Sequence, residues 1–85
     1  MTAGYTSREE LLVTVRDILA DLLDNDSLQL TEATIAEDVT GWDSINHVKL
    51  LIALESRMGF RFDTTEVEGL KNVGQLIDLI QKKAT

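Results

Sequence analysis

Ser44 and His47 are the two residues of this chain whose types and spacing could do chemistry together. Three apart on a helix, they fall on the same side, and a hydroxyl beside an imidazole suggests nucleophilic catalysis. The surrounding sequence supplies nothing else that such a dyad needs. There is no glycine-rich elbow and no evident oxyanion donor, and a single small domain cannot enclose a substrate pocket. His47 therefore reads as a surface residue of its helix, able to meet a partner. A second group, Asp24-Asn25-Asp26, opens like a calcium loop. An EF-hand requires glycine at the sixth position and glutamate at the twelfth. Gln29 and Ile35 stand there instead, so no metal ligand set is assigned. The chain has no cysteine, which excludes disulfides and thiolate catalysis and means that any thiol it uses must come with a cofactor.

What remains is a serine with nothing beside it to make it a catalyst. Gly41-Trp42-Asp43-Ser44-Ile45 runs into the apolar segment Val48-Lys49-Leu50-Leu51-Ile52-Ala53-Leu54-Glu55. Ser44 thus starts a helix, with an acid before it and an aliphatic residue after it. Two readings are open. The hydroxyl is a plain helix cap, contributing about 1 kcal/mol, or it is exposed for modification by another enzyme.

The elements that position it are legible as helices. Ser7-Arg8-Glu9-Glu10 is a capping box, and Leu11, Leu12, Val15, Ile18, Leu19, Leu22 and Leu23 follow at helical spacing, predicting a first helix from residue 8 to residue 23. Residues 24–43 have no clear period, but Leu28, Leu30, Ile35 and Val39 are spaced like anchors. A loop of this length inside a compact domain must be packed by its own side chains. The second helix begins at Asp43 or Ser44 and ends near Met58, with Gly59 as the left-handed residue beyond it. Its centre is apolar nearly all round, predicting the most buried helix. Phe60 and Phe62 can both point inward. Asp63 to Glu66 caps a short third helix ending around Gly69. Asn72 caps a fourth, which carries Val73, Leu76, Ile77 and Ile80 on one face. Trp42 is predicted to be partly buried at the end of the long loop.

Composition agrees. There is no proline, and with 5% aromatic residues the core must be aliphatic, which together favour an all-helical domain. The N-terminus lacks a basic-then-apolar secretory pattern and no apolar run is long enough to span a bilayer, so a cytoplasmic location is expected. The formal charge is −7, and from Asp17 to Asp43 every charged side chain is acidic. Such a field repels nucleic acid and anionic membranes and attracts basic protein surfaces; the plainer account is a solvated acidic surface.

Asp43-Ser44-Ile45 resembles the Asp-Ser-Leu attachment motif of acyl carrier proteins, with Ile45 in place of the usual leucine. The motif alone is short. Joined to the order of the helices, the long first loop, the length and the acidic charge, the resemblance runs from the first helix to the fourth. It implies an all-α, four-helix acyl-carrier-like bundle with a long first loop and a short third helix, one domain over residues 1–85. It further implies that Ser44 carries covalent 4′-phosphopantetheine from coenzyme A, whose thiol holds an acyl or aminoacyl group as a thioester. A helix N-terminus suits the phosphodiester, because its free amides and dipole favour an anion. By the same resemblance the chain is a monomeric, non-catalytic carrier without a metal site, and Asp43 can help to hold the metal or the enzyme during modification. Its partners are a phosphopantetheinyl transferase and the acyl-loading and acyl-transferring enzymes. The surface they meet comprises Asp43, Ile45, His47, Lys49 and Ile52 on the second helix, and Glu66, Val67 and Glu68 on the third. Val48, Ile52, Phe62, Val67 and Leu70 are candidates for lining an acyl cleft, or else ordinary core.

One departure stands out. The best-studied fatty-acid carriers have a nearly continuous acidic second helix; here Asn46, Lys49 and Ser56 replace acids and Arg57 adds a cation. Partners that read the full acidic face are expected to bind less well, which suggests a dedicated carrier in a specialised lipid, polyketide or peptide pathway. The reading from a different class is an acidic helical interaction module without a prosthetic group.

Overall fold

The computed structural model describes residues 7–84, and these are all helix and connection. Helix α1 spans Arg8–Leu22, with Ser7 as its cap, the Ser7 hydroxyl accepting from the Glu10 amide. Its apolar stripe buries Leu11, Val15, Ile18, Leu19 and Ala20, each large aliphatic contributing about 1.5–3 kcal/mol by leaving water. Asp24, at φ 52°, turns the chain out of the helix.

The long connection is packed where its anchors are. Leu28 and Leu30 are buried, Ile35 and Val39 partly so, and a 3-10 turn occupies Ala36–Asp38. Its backbone is held by groups far away in sequence, as a segment lying over a core must be. Arg16 donates through Nε to the Leu28 carbonyl at 2.8 Å and through its guanidinium to the Asp26 carbonyl. The Val73 and Gly74 amides donate to the Thr34 and Glu32 carbonyls at 2.9 and 2.8 Å. Arg8 closes the same region from the other side, bonding Glu32, Asp78, Gln81 and the Gly74 carbonyl.

Helix α2 spans Ser44–Met58 and ends at Gly59, whose φ of 81° is a conformation that favours glycine. Phe60 and Phe62 pack edge to face at 5.1 Å against the core, and the Phe62 amide donates to the Glu55 carboxylate at 2.7 Å. Helix α3 spans Thr64–Glu68; the Asp63 amide donates to Glu66 Oε1 at 2.9 Å at its start. Helix α4 spans Val73–Ala84, and Asn72 Oδ1 accepts from the Gln75 amide at 2.8 Å. Its face of Val73, Leu76, Ile77 and Ile80 is fully or almost fully buried.

Two expectations are corrected. Helix α2 is not the most buried: it buries three residues, Leu50, Leu51 and Leu54, against five on α1. It leaves Ile45, Val48 and Ile52 more than half exposed. Trp42 is buried with the core rather than partly exposed. The ends of the predicted single domain, residues 1–6 and 85, lie outside the described residues. No described helix is long and apolar enough to cross a membrane.

Candidate functional site

The turn before α2 places Ser44. Gly41 has φ 90°, open to glycine and costly for other residues. The Trp42 amide donates to the Val39 carbonyl and the Asp43 amide to the Gly41 carbonyl. Two residues of α2 then fasten this turn. Asn46 donates from its backbone amide to Asp43 Oδ1 at 2.8 Å and from its side chain to the Gly41 carbonyl at 2.9 Å. His47 accepts the indole N–H of Trp42 at Nδ1, 3.2 Å away. Asp43 is therefore the helix cap and Ser44 the first helical residue, which frees the serine hydroxyl from a capping role. The cap side chain takes the Asn46 amide and the Asp43 carbonyl takes the His47 amide. The Ser44 and Ile45 amides remain as the open donors of the first turn.

Ser44 is exposed, with an open groove on either side. One is lined by Ser44, Ile45, Val48 and Lys49. The other runs from Ser44 and Val48 past Asp43 and His47 to Trp42, Ala36 and Leu70. It leads to a small cavity of about 40 Å³ bounded by Ala36, Trp42, His47, Leu70 and Leu76, with Lys71 and Asn72 at its edge.

Comparison with known proteins identifies the family. Residues 13–80 match the family described as Phosphopantetheine attachment site. The acyl carrier protein of Thermotoga maritima is 35% identical over 77 residues, covering 91% of this chain and 95% of its own length. The chain belongs to the acyl carrier protein family. Another acyl carrier protein, from Thermosynechococcus vestitus, is 37% identical over 78 residues, 91% of this chain and 95% of its own. The solution structure of a holo acyl carrier protein from Geobacter metallireducens superposes with a TM-score of 0.78 at 40% identity, covering 85% of this chain and 83% of that one. The fold is thus that of an acyl carrier protein, and the cofactor is covalently attached phosphopantetheine. Membership sets aside both the Ser44–His47 dyad and the module without a prosthetic group, since the family is one of non-catalytic carriers. The residues present suit a tethered phosphodiester arm: a reachable hydroxyl, two open amides beside it, and apolar-walled grooves leading away.

The surface residues expected of an acyl carrier protein separate into two groups. Asp43, Ile45, Lys49 and Ile52 are exposed along one side of α2. His47 is half-buried and engaged by Trp42, and burial holds its imidazole below the usual range. Glu66 is committed within the fold: it accepts the Asp63 amide and pairs with Lys83 at 2.8 Å, and the Lys83 ammonium holds its carboxyl below the usual carboxylate range. Val67 is partly buried against the core, and Glu68 is exposed. The five cleft candidates do not come together. Val48 and Leu70 line the groove at Ser44, Ile52 lines a separate one with Phe60 and Arg61, and Phe62 and Val67 pack on the core. The sequence identified Asn46 only as a missing acid, not as the residue that fastens the turn. Its signal was present, an amide three residues after an acidic cap, but the bond to Gly41 depends on the left-handed turn.

Proposed function

We propose that Ser44 is the residue joined to phosphopantetheine, and that residues 1–85 act as a monomeric carrier domain for an acyl or aminoacyl thioester. The observation that carries this is Ser44 itself, exposed at the first position of α2, its hydroxyl relieved of capping by Asp43. A phosphopantetheinyl transferase would reach the hydroxyl, whose oxygen displaces the nucleotide half of coenzyme A to form a phosphodiester. The Ser44 and Ile45 amides and the positive end of α2 then lie beside the new negative charge. When attached, the arm supplies the thiol that this cysteine-free chain lacks.

The carrier surface in this reading comprises Asp43, Ile45, Lys49 and Ile52, with His47, Val67 and Glu68 at its edges. Glu66 contributes by holding α3 to α4 through Lys83 rather than by meeting a partner directly. The weakened acidity of α2 suits acyl-loading and acyl-transferring enzymes of a specialised lipid, polyketide or peptide pathway, working in the cytoplasm. Intact-protein mass spectrometry after incubation with coenzyme A, magnesium and a broad-specificity transferase tests the assignment. One phosphopantetheinyl group is expected on the wild type and none on Ser44→Ala, which keeps the wild-type circular dichroism. Loading of Ser44→Ala would overturn it.

A further inference from the structure

The α2 side chains that turn away from the core form a continuous surface of unusual charge for this molecule. Ile45, Val48, Lys49, Ile52 and Ser56 recur at helical spacing and are all exposed. The three aliphatics, at 66%, 53% and 57% exposure, are three of the four large hydrophobic residues exposed among the described residues; the fourth, Val13, lies on α1. Aliphatic surface gathered in one stripe, rather than scattered, marks a contact surface. At its centre is an ammonium. Lys49 shares the groove beside Ser44 with Ile45 and Val48, and no carboxylate of the described residues pairs with it. Arg61 adds a second cation in the next groove, which Ile52, Ser56 and the Glu55 carboxylate also line.

Of the carboxylates nearest the stripe, Glu66 is paired with Lys83, while Glu55 and Asp43 accept the Phe62 and Asn46 backbone amides and keep their charge; none of the three is paired with Lys49. A chain of net charge −7 thus places an ammonium without an ion-pair partner among the described residues at the centre of its apolar face. The acidic field of the rest is screened over about 8 Å at physiological salt, so once surfaces touch, the groups inside the footprint decide. A basic patch laid over this stripe would desolvate Lys49 against like charge; an apolar patch with carboxylates would pair it.

We propose that the α2 face centred on Lys49 docks an apolar patch of a partner enzyme whose rim presents carboxylates, so that Lys49 selects against partners with a basic contact surface. The inference rests on the assignment of Ser44 as the attachment residue, because the groove containing Lys49 opens at that hydroxyl.

Two versions of one phosphopantetheinyl transferase serve as probes: one with a basic carrier-contact patch, and one with the basic residues of that patch replaced by glutamate. Lys49→Glu raises kcat/KM about fivefold with the basic version and lowers it about fivefold with the acidic one. Both ratios shrink towards one in about 0.5 M salt, and Lys49→Arg leaves both unchanged. Dissociation constants measured on a Ser44→Ala background show the same inversion, which keeps the test valid if patch reversal slows the chemistry. Ratios that stay at one, or that move in the same direction with both probes, overturn the proposal. The final mass separates the two claims. Complete loading at Ser44 with unmoved ratios removes the docking inference alone, whereas loading that does not require Ser44 removes the assignment beneath it.

Discussion

Leu50 and Ile52 are two residues apart on the same helix, similar in size and hydropathy, and they have opposite surroundings. Leu50 is fully buried against α1, whereas Ile52 stands in solvent beside Lys49 and Arg61. The contrast extends through the molecule. On the side of α1 and α4, polar groups are committed to one another: Arg8 joins α1, the long connection and α4; Gly74 admits the Glu32 backbone; Lys83 holds Glu66. On the outer side of α2, aliphatic residues and a lysine have no partner within the described chain. The first side can be understood from the chain alone. The second is accounted for by the docking proposed above, since exposed aliphatics contribute little to the fold.

Stability measurements sharpen that division. The largest effect belongs to Leu50→Ala or Leu54→Ala, each expected to cost about 2–5 kcal/mol in urea unfolding, from lost transfer energy and the cavity left behind. Ile52→Ala and Val48→Ala should stay within about 0.5 kcal/mol while altering partner kinetics. If Ile52→Ala cost as much as Leu50→Ala, the outer side would be core and the division would collapse. Next comes Gly74→Ala. A methyl group there would lie 3.0 Å from the Glu32 carbonyl oxygen, which is backbone and cannot swing aside. The expected net loss is about 1 kcal/mol, overpacking outweighing the better helix propensity of alanine. A stabilised Gly74→Ala protein would mean that the long connection yields. Arg8→Ala should lower the melting temperature by less than Gly74→Ala does, since its ion pairs are partly exposed; Lys49→Ala, with no partner to lose, should leave the melting temperature unchanged.

The same division separates what the sequence made legible from what it did not. Caps and stripes are local, so Ser7, Asp63, Asn72 and Gly59 are readable from spacings of three or four residues, and they delimit the helices within a residue or two. Ser44 was legible for the same reason, as a hydroxyl at a helix start. The side of α2 that meets the core was legible only through the family resemblance, which put Ile45, Lys49 and Ile52 on the partner surface, and not from the pattern itself. A helix apolar nearly all round has no periodic signal to choose a face, and only the placement of α1 decides that Leu50 goes in and Ile52 stays out. The tethers of the long connection were equally hidden, because Arg8 meets Glu32 and Asp78 across 24 and 70 residues. Trp42 was half-read: its place at the end of the loop was clear, but its burial depends on His47 offering a nitrogen to the indole, a bond created by the turn at Gly41.

That bond supplies the smallest prediction, at the border between the two regions. Trp42 donates to Nδ1 of His47, so Nδ1 must be unprotonated while the bond exists, and burial already holds the imidazole below its usual value of 6.5. The sign of the pH effect follows. Above the usual value both folded and unfolded chains carry neutral histidine, and the contribution to stability is fully present. As the pH falls, the unfolded chain takes up a proton first, and stability declines until the folded protein is protonated too. The shifts of Glu32 and Glu66, both lowered by basic partners, act only further down, in the carboxylate range. Between about pH 7 and pH 5, the melting temperature should therefore fall for the wild type and stay nearly level for His47→Gln, whose amide oxygen can still accept the indole. Tryptophan fluorescence over the same interval should move with it, since the chain has a single tryptophan. An equal slope in both proteins would remove His47 from the turn that presents Ser44. The histidine would then belong to the open face rather than to the scaffold behind it.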